Sequence, residues 1–248
     1  MTGLRALLIL AGREIESYFL QPLMYLVLAV FLALNGLAFS YSLVDMQGNV
    51  DATVRSFLGG SILFWINILF VPPLLTMRLI AEERRTGTME GLMTAPVTDL
   101  VVVLAKFIGA YSFYLALWAP SVVYLLVMKS YGALPDTGVL ASSYLGVLLL
   151  GALLIAIGLL ASAVSPNQIV AAILGVVFNQ ALFWVPMLSL KMPHGTVRTT
   201  LEHLSILFHF DNSFSKGVLD SGIIAVYVIA IAISLFLAVR AVESRRWT

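Results

Sequence analysis

Residues 139–163 contain no charged side chain. A hydrocarbon core takes about 20 residues of helix. Inside lipid a backbone must satisfy its own hydrogen bonds, so a run like this belongs in a membrane-crossing helix. Five further stretches are predominantly apolar, with few charges: residues 22–42, 58–80, 99–129, 167–190 and 221–240. Hydrophobic residues make up 60% of the chain and charged residues 11%, with a mean hydropathy of +1.00. Soluble domains carry roughly 25% charged residues, so polar surface is too scarce here to face water on every side. The expected fold is an all-α integral membrane protein with six transmembrane helices, forming one domain over residues 1–248. Little chain remains for a soluble domain.

Composition also removes function classes. Cysteine is absent, which excludes disulfides and thiolate metal sites. The net charge is +1, with no long basic run and no aromatic–basic interleaving, so nucleic acid is not an expected partner. His194, His203 and His209 do not share a helical face, and no metal site is expected. No G-x-x-x-x-G-K-S/T phosphate loop occurs, so the chain should not bind ATP by that route. The centres of the expected crossings lack the acidic and basic residues on which ion-coupled transporters usually rely. No catalytic residues are expected. Energy must come from a partner, or the protein is a passive path.

The N-terminal run does not read as a standard cleavable signal, because Arg13, Glu14 and Glu16 interrupt it. Residues 4–20 read instead as an amphipathic helix on the membrane surface, with Leu4, Leu8, Ala11, Ile15 and Phe19 on one face. Pro22 then opens the first crossing. Pro72-Pro73 should kink the second, and Pro120 should bend the third. Residues 191–219 form the longest connection and should hold a short interfacial or re-entrant helix within 204–214. Asn35, Asn67, Asn179 and Gln180 lie inside crossings. They either line a substrate path or dimer seam, or bond a neighbouring helix, which is the commoner role. Gly146, Gly151 and Gly158 would permit close helix contact, and Phe107, Tyr111, Tyr114 and Trp118 form an aromatic stripe best read as packing.

With six crossings, one side holds Arg5, Arg13, Arg78, Arg84, Arg85, Lys106, Arg240, Arg245 and Arg246, and the other Arg55, Lys129, Lys191, Arg198 and Lys216. The positive-inside rule then puts both termini in the cytoplasm.

Between the second and third crossings lies a charged island, residues 82–96. Pro96 disfavours helix at Ala95, so a short helix should run from about Thr88 to Thr94. Thr86 or Thr88 can cap it, and Gly87 permits the sharp turn into it. Met89, Leu92 and Met93 fall on one stripe, and methionine suits adaptable docking surfaces. Glu82, Glu83, Arg84, Arg85 and Glu90 can surround that stripe as a charged rim, which is the layout of an interface. The alternative is a solvated loop whose arginines only set orientation.

The sequence Leu79-Ile80-Ala81-Glu82-Glu83-Arg84-Arg85-Thr86-Gly87-Thr88-Met89-Glu90-Gly91-Leu92-Met93-Thr94-Ala95-Pro96-Val97 resembles the segment after the second helix of ABC-2-type transporter permeases. The gliding-motility and nitrous-oxide-reductase-maturation types look most alike. Lys106-Phe107, Ser165 through Ala171, Leu204-Ser205 through His209-Phe210, Lys216 through Asp220 and Val242 through Trp247 fit in the same order. Gly91 departs from the pattern, where leucine or another helix former is frequent.

The resemblance implies a permease subunit with an elbow helix at 4–20, a coupling helix at 82–96 and re-entrant helices at 191–219. It implies docking of two cytoplasmic ATP-binding-cassette ATPase subunits at Glu82, Glu83, Arg84, Arg85, Thr86, Gly87, Thr88, Met89, Glu90, Leu92 and Met93. ATP and magnesium would sit on those subunits, with no cofactor bound by this chain. A second permease copy or a paralogous permease would complete the transporter, and a periplasmic or accessory membrane protein is a further possible partner. The implied location is a bacterial cytoplasmic (inner) membrane. The implied function is export of a lipid, glycan, peptide or drug, or alternatively ATPase-driven mechanical work on a periplasmic partner.

Overall fold

Six helical stretches long and apolar enough to cross a membrane organise the chain. This computed structural model describes residues 3–87, 97–133, 135–193, 195–196, 198–199, 201 and 205–244. Among them every regular element is helical.

Helix α1 (Gly3–Leu20) is separated by extended Gln21 from α2 (Pro22–Asp45), which starts on proline because a first-turn N–H has no partner to lose. The second span is interrupted. Short α3 (Val50–Arg55) leads into a wide turn at Ser56–Gly60, where Leu58 and Gly59 leave helical geometry, and α4 (Ile62–Thr76) starts afresh under a Ser61 cap. The Trp65 indole donates to the Gly59 carbonyl at 2.7 Å, taking up an acceptor that the break leaves open. After a turn at 77–80 comes α5 (Ala81–Arg85).

The third span is α6 (Asp99–Trp118) and α7 (Ser121–Ser130), joined through Pro120, which has no N–H for the helical ladder. Then follow α8 (Thr137–Val164), capped by Asp136, and α9 (Gln168–Met187), capped by Asn167. A single 3-10 turn at Leu188–Lys191 ends that span. Helix α10 (Ile206–Asn212) carries Phe210 into the bundle against Phe64 and Trp65. A 3-10 turn at Phe214–Lys216 and Gly217, at φ +83°, lead into α11 (Ser221–Glu243).

The centre of the bundle is α8. It is 72% buried along its apolar window, against 22% for α2 and α11. Helices α4, α6, α9 and α11 all pack on it. Its glycines make the approach possible. Tyr114 of α6 lies where a side chain on Gly151 would be, Thr76 of α4 takes the same place at Gly158, and Phe214 does so at Gly146. The aromatic stripe on α6 serves this contact. The rings of Phe107, Tyr111 and Tyr114 stack in succession, and the Tyr111 and Tyr114 hydroxyls donate to the Leu148 and Val147 carbonyls.

Helix α1 lies along α6 rather than standing apart. Leu4, Leu8 and Phe19 stay exposed, but Ala11 is buried with Ala6 and Tyr18. The five-residue apolar face expected from sequence therefore divides. Leu4, Leu8 and Phe19 look outward, Ile15 is half-buried, and small Ala11 lets the helices close together, with the Glu14 backbone against Gly109.

Candidate functional site: the anchored entrance to the charged island

At the end of α4 the two prolines leave carbonyls without their helical donors. Pro73 has no N–H for Leu69, and the Asn179 amide of α9 reaches that carbonyl at 3.5 Å. Below the prolines the helix breaks, and the Tyr18 hydroxyl donates to the Leu75 carbonyl at 2.7 Å. Burial pushes the Tyr18 hydroxyl well above the usual phenol range, so it remains a donor.

The restart at α5 is capped from another element. The Ser162 hydroxyl of α8 accepts from the Ile80 and Ala81 N–H groups, both at 3.1 Å. Arg84 returns the contact. Its guanidinium donates to the Ala163 and Ser165 carbonyls, each at 2.8 Å, at the C-terminal end of α8. A cation there completes orphan carbonyls and meets the negative end of the helix dipole. The start of the island and the end of the central helix are thus mutually capped.

A second tie runs to α1 and α6. The Lys106 ammonium, 2% exposed, lies 2.6 Å from the Glu83 carboxylate and 3.3 Å from that of Glu14. A buried lysine is tolerable only when paired. One cation therefore holds three elements together. Beside it, partly buried Glu82 pairs with exposed Arg85 at 2.6 Å, and the Thr86 hydroxyl donates to the Glu82 carbonyl. Gly87, at φ +75°, redirects the chain, a backbone state that a side chain would strain.

Of the expected rim, then, Glu83 and Arg84 turn inward to their own protein, Arg85 faces out, and Glu82 is partly buried beneath it. Thr88, Met89, Glu90, Leu92 and Met93 lie outside the described residues. The polar residues of the crossings behave differently from one another. Asn35 donates to Phe31 of its own helix, Gln180 accepts from Trp184, and Asn179 bridges to α4. Asn67 is 2% exposed, and neither amide atom has a partner among the described residues. Among the described residues no cluster of metal-ligating side chains occurs.

The sequence marked Lys106 as one of the cytoplasmic cations and as part of a family pattern, and did not show its pairing with Glu14 and Glu83. The available signal was cost: a charge on an apolar helix face must find a counter-charge. Ser162 carried no signal, since serine in a membrane helix is unremarkable until its neighbour is known.

No curated protein matches the chain. The family described as ABC-2 family transporter protein matches residues 10–238, from within α1 to within α11. With nearly all of its length matched, and with an all-helical fold of six candidate spans, the chain belongs to the ABC-2 transporter family and is a permease component of an ABC transporter.

Proposed function

We propose that this permease is driven through the island by two separate cytoplasmic ATPase subunits and exports an amphiphilic substrate as part of a permease dimer. The observation that carries the reading is the double anchorage of the island's entrance. A displacement imposed beyond Gly87 is delivered through Arg84 and Ser162 to the end of α8, on which four other helices pack. It is delivered through Glu83 to Lys106 and α1. A loop that only set topology would have no use for these buried ties.

In this reading Met89, Leu92 and Met93 supply the apolar contact with the ATPase, and Glu82, Arg85 and Glu90 its rim. Both termini are cytoplasmic. Asn67 is the polar residue that faces the path or the dimer seam, because neither atom of its buried amide has a partner among the described residues. The test is Met89→Asp combined with Leu92→Asp. Loss of the cognate ATPase on purification is expected; unchanged co-purification would defeat the docking assignment.

A further inference from the structure

The outward face of α4 is a ladder in steps of four residues: Ile66, Phe70, Leu74, Arg78, and then Glu82 in α5. Residues four apart share a helix face. The stepping survives the break, because the Glu82 N–H donates to the Arg78 carbonyl at 3.3 Å. The three apolar members are 39%, 41% and 38% exposed. Together with Leu26 and Val30 of α2 they wall an apolar groove of about 260 Å³. Its lining runs from Ile66 in α4 to Met77 just past the end of that helix, roughly 17 Å at 1.5 Å per residue. That is about half of a 30 Å hydrocarbon core, or one leaflet.

The same turns of chain at the head of the groove, residues 21–24 and 74–78, help to wall a polar cleft of about 220 Å³. Five charged side chains line it. Glu14, Glu83 and Lys106 are joined to one another. Arg78 donates to the neutral Gln21 amide oxygen at 3.1 Å and forms no ion pair among the described residues. Among the described residues Glu82 makes its ion pair with the exposed Arg85, an arrangement that costs little to share, and it also feels the Arg78 charge. Read away from the bundle centre, the ladder is therefore hydrocarbon-compatible, then cationic, then anionic.

We propose that this face binds one glycerophospholipid carrying a primary ammonium in its headgroup. An acyl chain lies in the groove between α2 and α4, the phosphate meets Arg78, and the ammonium meets Glu82. The guanidinium offers paired donors to phosphate oxygens, and the carboxylate accepts from an N–H that a choline headgroup lacks. The inference deepens the proposal that Asn67, which lines this groove, faces the path, and rests on the groove staying open in the assembled permease. It does not require ATPase docking.

The test uses the full-length chain without its ATPase, in detergent, offered equal amounts of phosphatidylethanolamine, phosphatidylcholine and phosphatidylglycerol, with bound lipid counted by native mass spectrometry. One phosphatidylethanolamine per chain should be retained, at least about tenfold over either competitor. Arg78→Gln should lose it by a similar factor. Val30→Trp, which plugs the groove from an exposed wall, should lose it without affecting the fold. Glu82→Gln should make phosphatidylethanolamine and phosphatidylglycerol equivalent. Equal retention of all three lipids by the wild-type chain, or full retention in Val30→Trp, would overturn the proposal. So would a cross-link between cysteines placed at Val30 in two copies that displaces the lipid, since the occupant would then be a second chain. Because docking is read separately from Met89→Asp with Leu92→Asp, failure of one claim leaves the other standing.

Discussion

A single buried cation decides how three elements meet. Lys106 is 2% exposed and carries two carboxylates from residues far apart in the chain. Lys106→Met should strand both acids at the foot of α1 and α5. Breaking a buried pair on one side costs about 3 kcal/mol or more, so the apparent melting temperature of the solubilised permease should drop clearly. Neutralising the stranded partners in the same chain, with Glu14→Gln and Glu83→Gln, should restore most of it. A Lys106→Met protein that melts like the wild type would show that the node contributes nothing. The sequence held all three residues in plain view but not their meeting. Glu14 stood out only as a charge interrupting an apolar run, and Glu83 looked like one more member of an exposed cluster. Their pairing depends on how α1 lies along α6, which in turn depends on small residues such as Ala11 and Gly109 whose partners no local pattern names.

Among the elements, α5 is short but tied at both ends of its contact with α8. Arg84→Ala would remove two charge-assisted bonds to the end of α8, each worth about 1.5–3 kcal/mol. The expected phenotype is uncoupling: the ATPase still binds and hydrolyses ATP in the complex, while transport falls. Transport measured in reconstituted vesicles checks this, and parallel loss of ATPase binding would place Arg84 in the docking surface instead. The seats on α8 make a second prediction. Gly151→Val would collide with Tyr114, and overpacking of this kind costs about 1–3 kcal/mol. Reduced yield and a lower melting temperature should follow, with recovery when Tyr114 is shortened to Leu in the same protein. The elements themselves were largely readable, because long apolar runs admit one solution in lipid. Pro120 announced its bend. The break at Ser56–Gly60 did not announce itself: Leu58 and Gly59 sit in an apolar stretch, and the ring that lies against Gly59 there is Phe210, from the far end of the chain.

At the scale of the whole molecule, the central claim is that force enters at one cytoplasmic loop and reaches the bundle through α8. Family membership supplies the permease, and the anchored entrance supplies a route; the docking face we propose rests on the stripe Met89, Leu92 and Met93 in the sequence. The absence of cysteine from the chain makes one measurement direct. A single cysteine introduced at Met89 should resist a membrane-impermeant thiol reagent applied outside intact cells, and should cross-link to the ATPase subunit in membranes prepared with ATP. Labelling from outside, or a labelled loop that cross-links to no ATPase, would contradict the account.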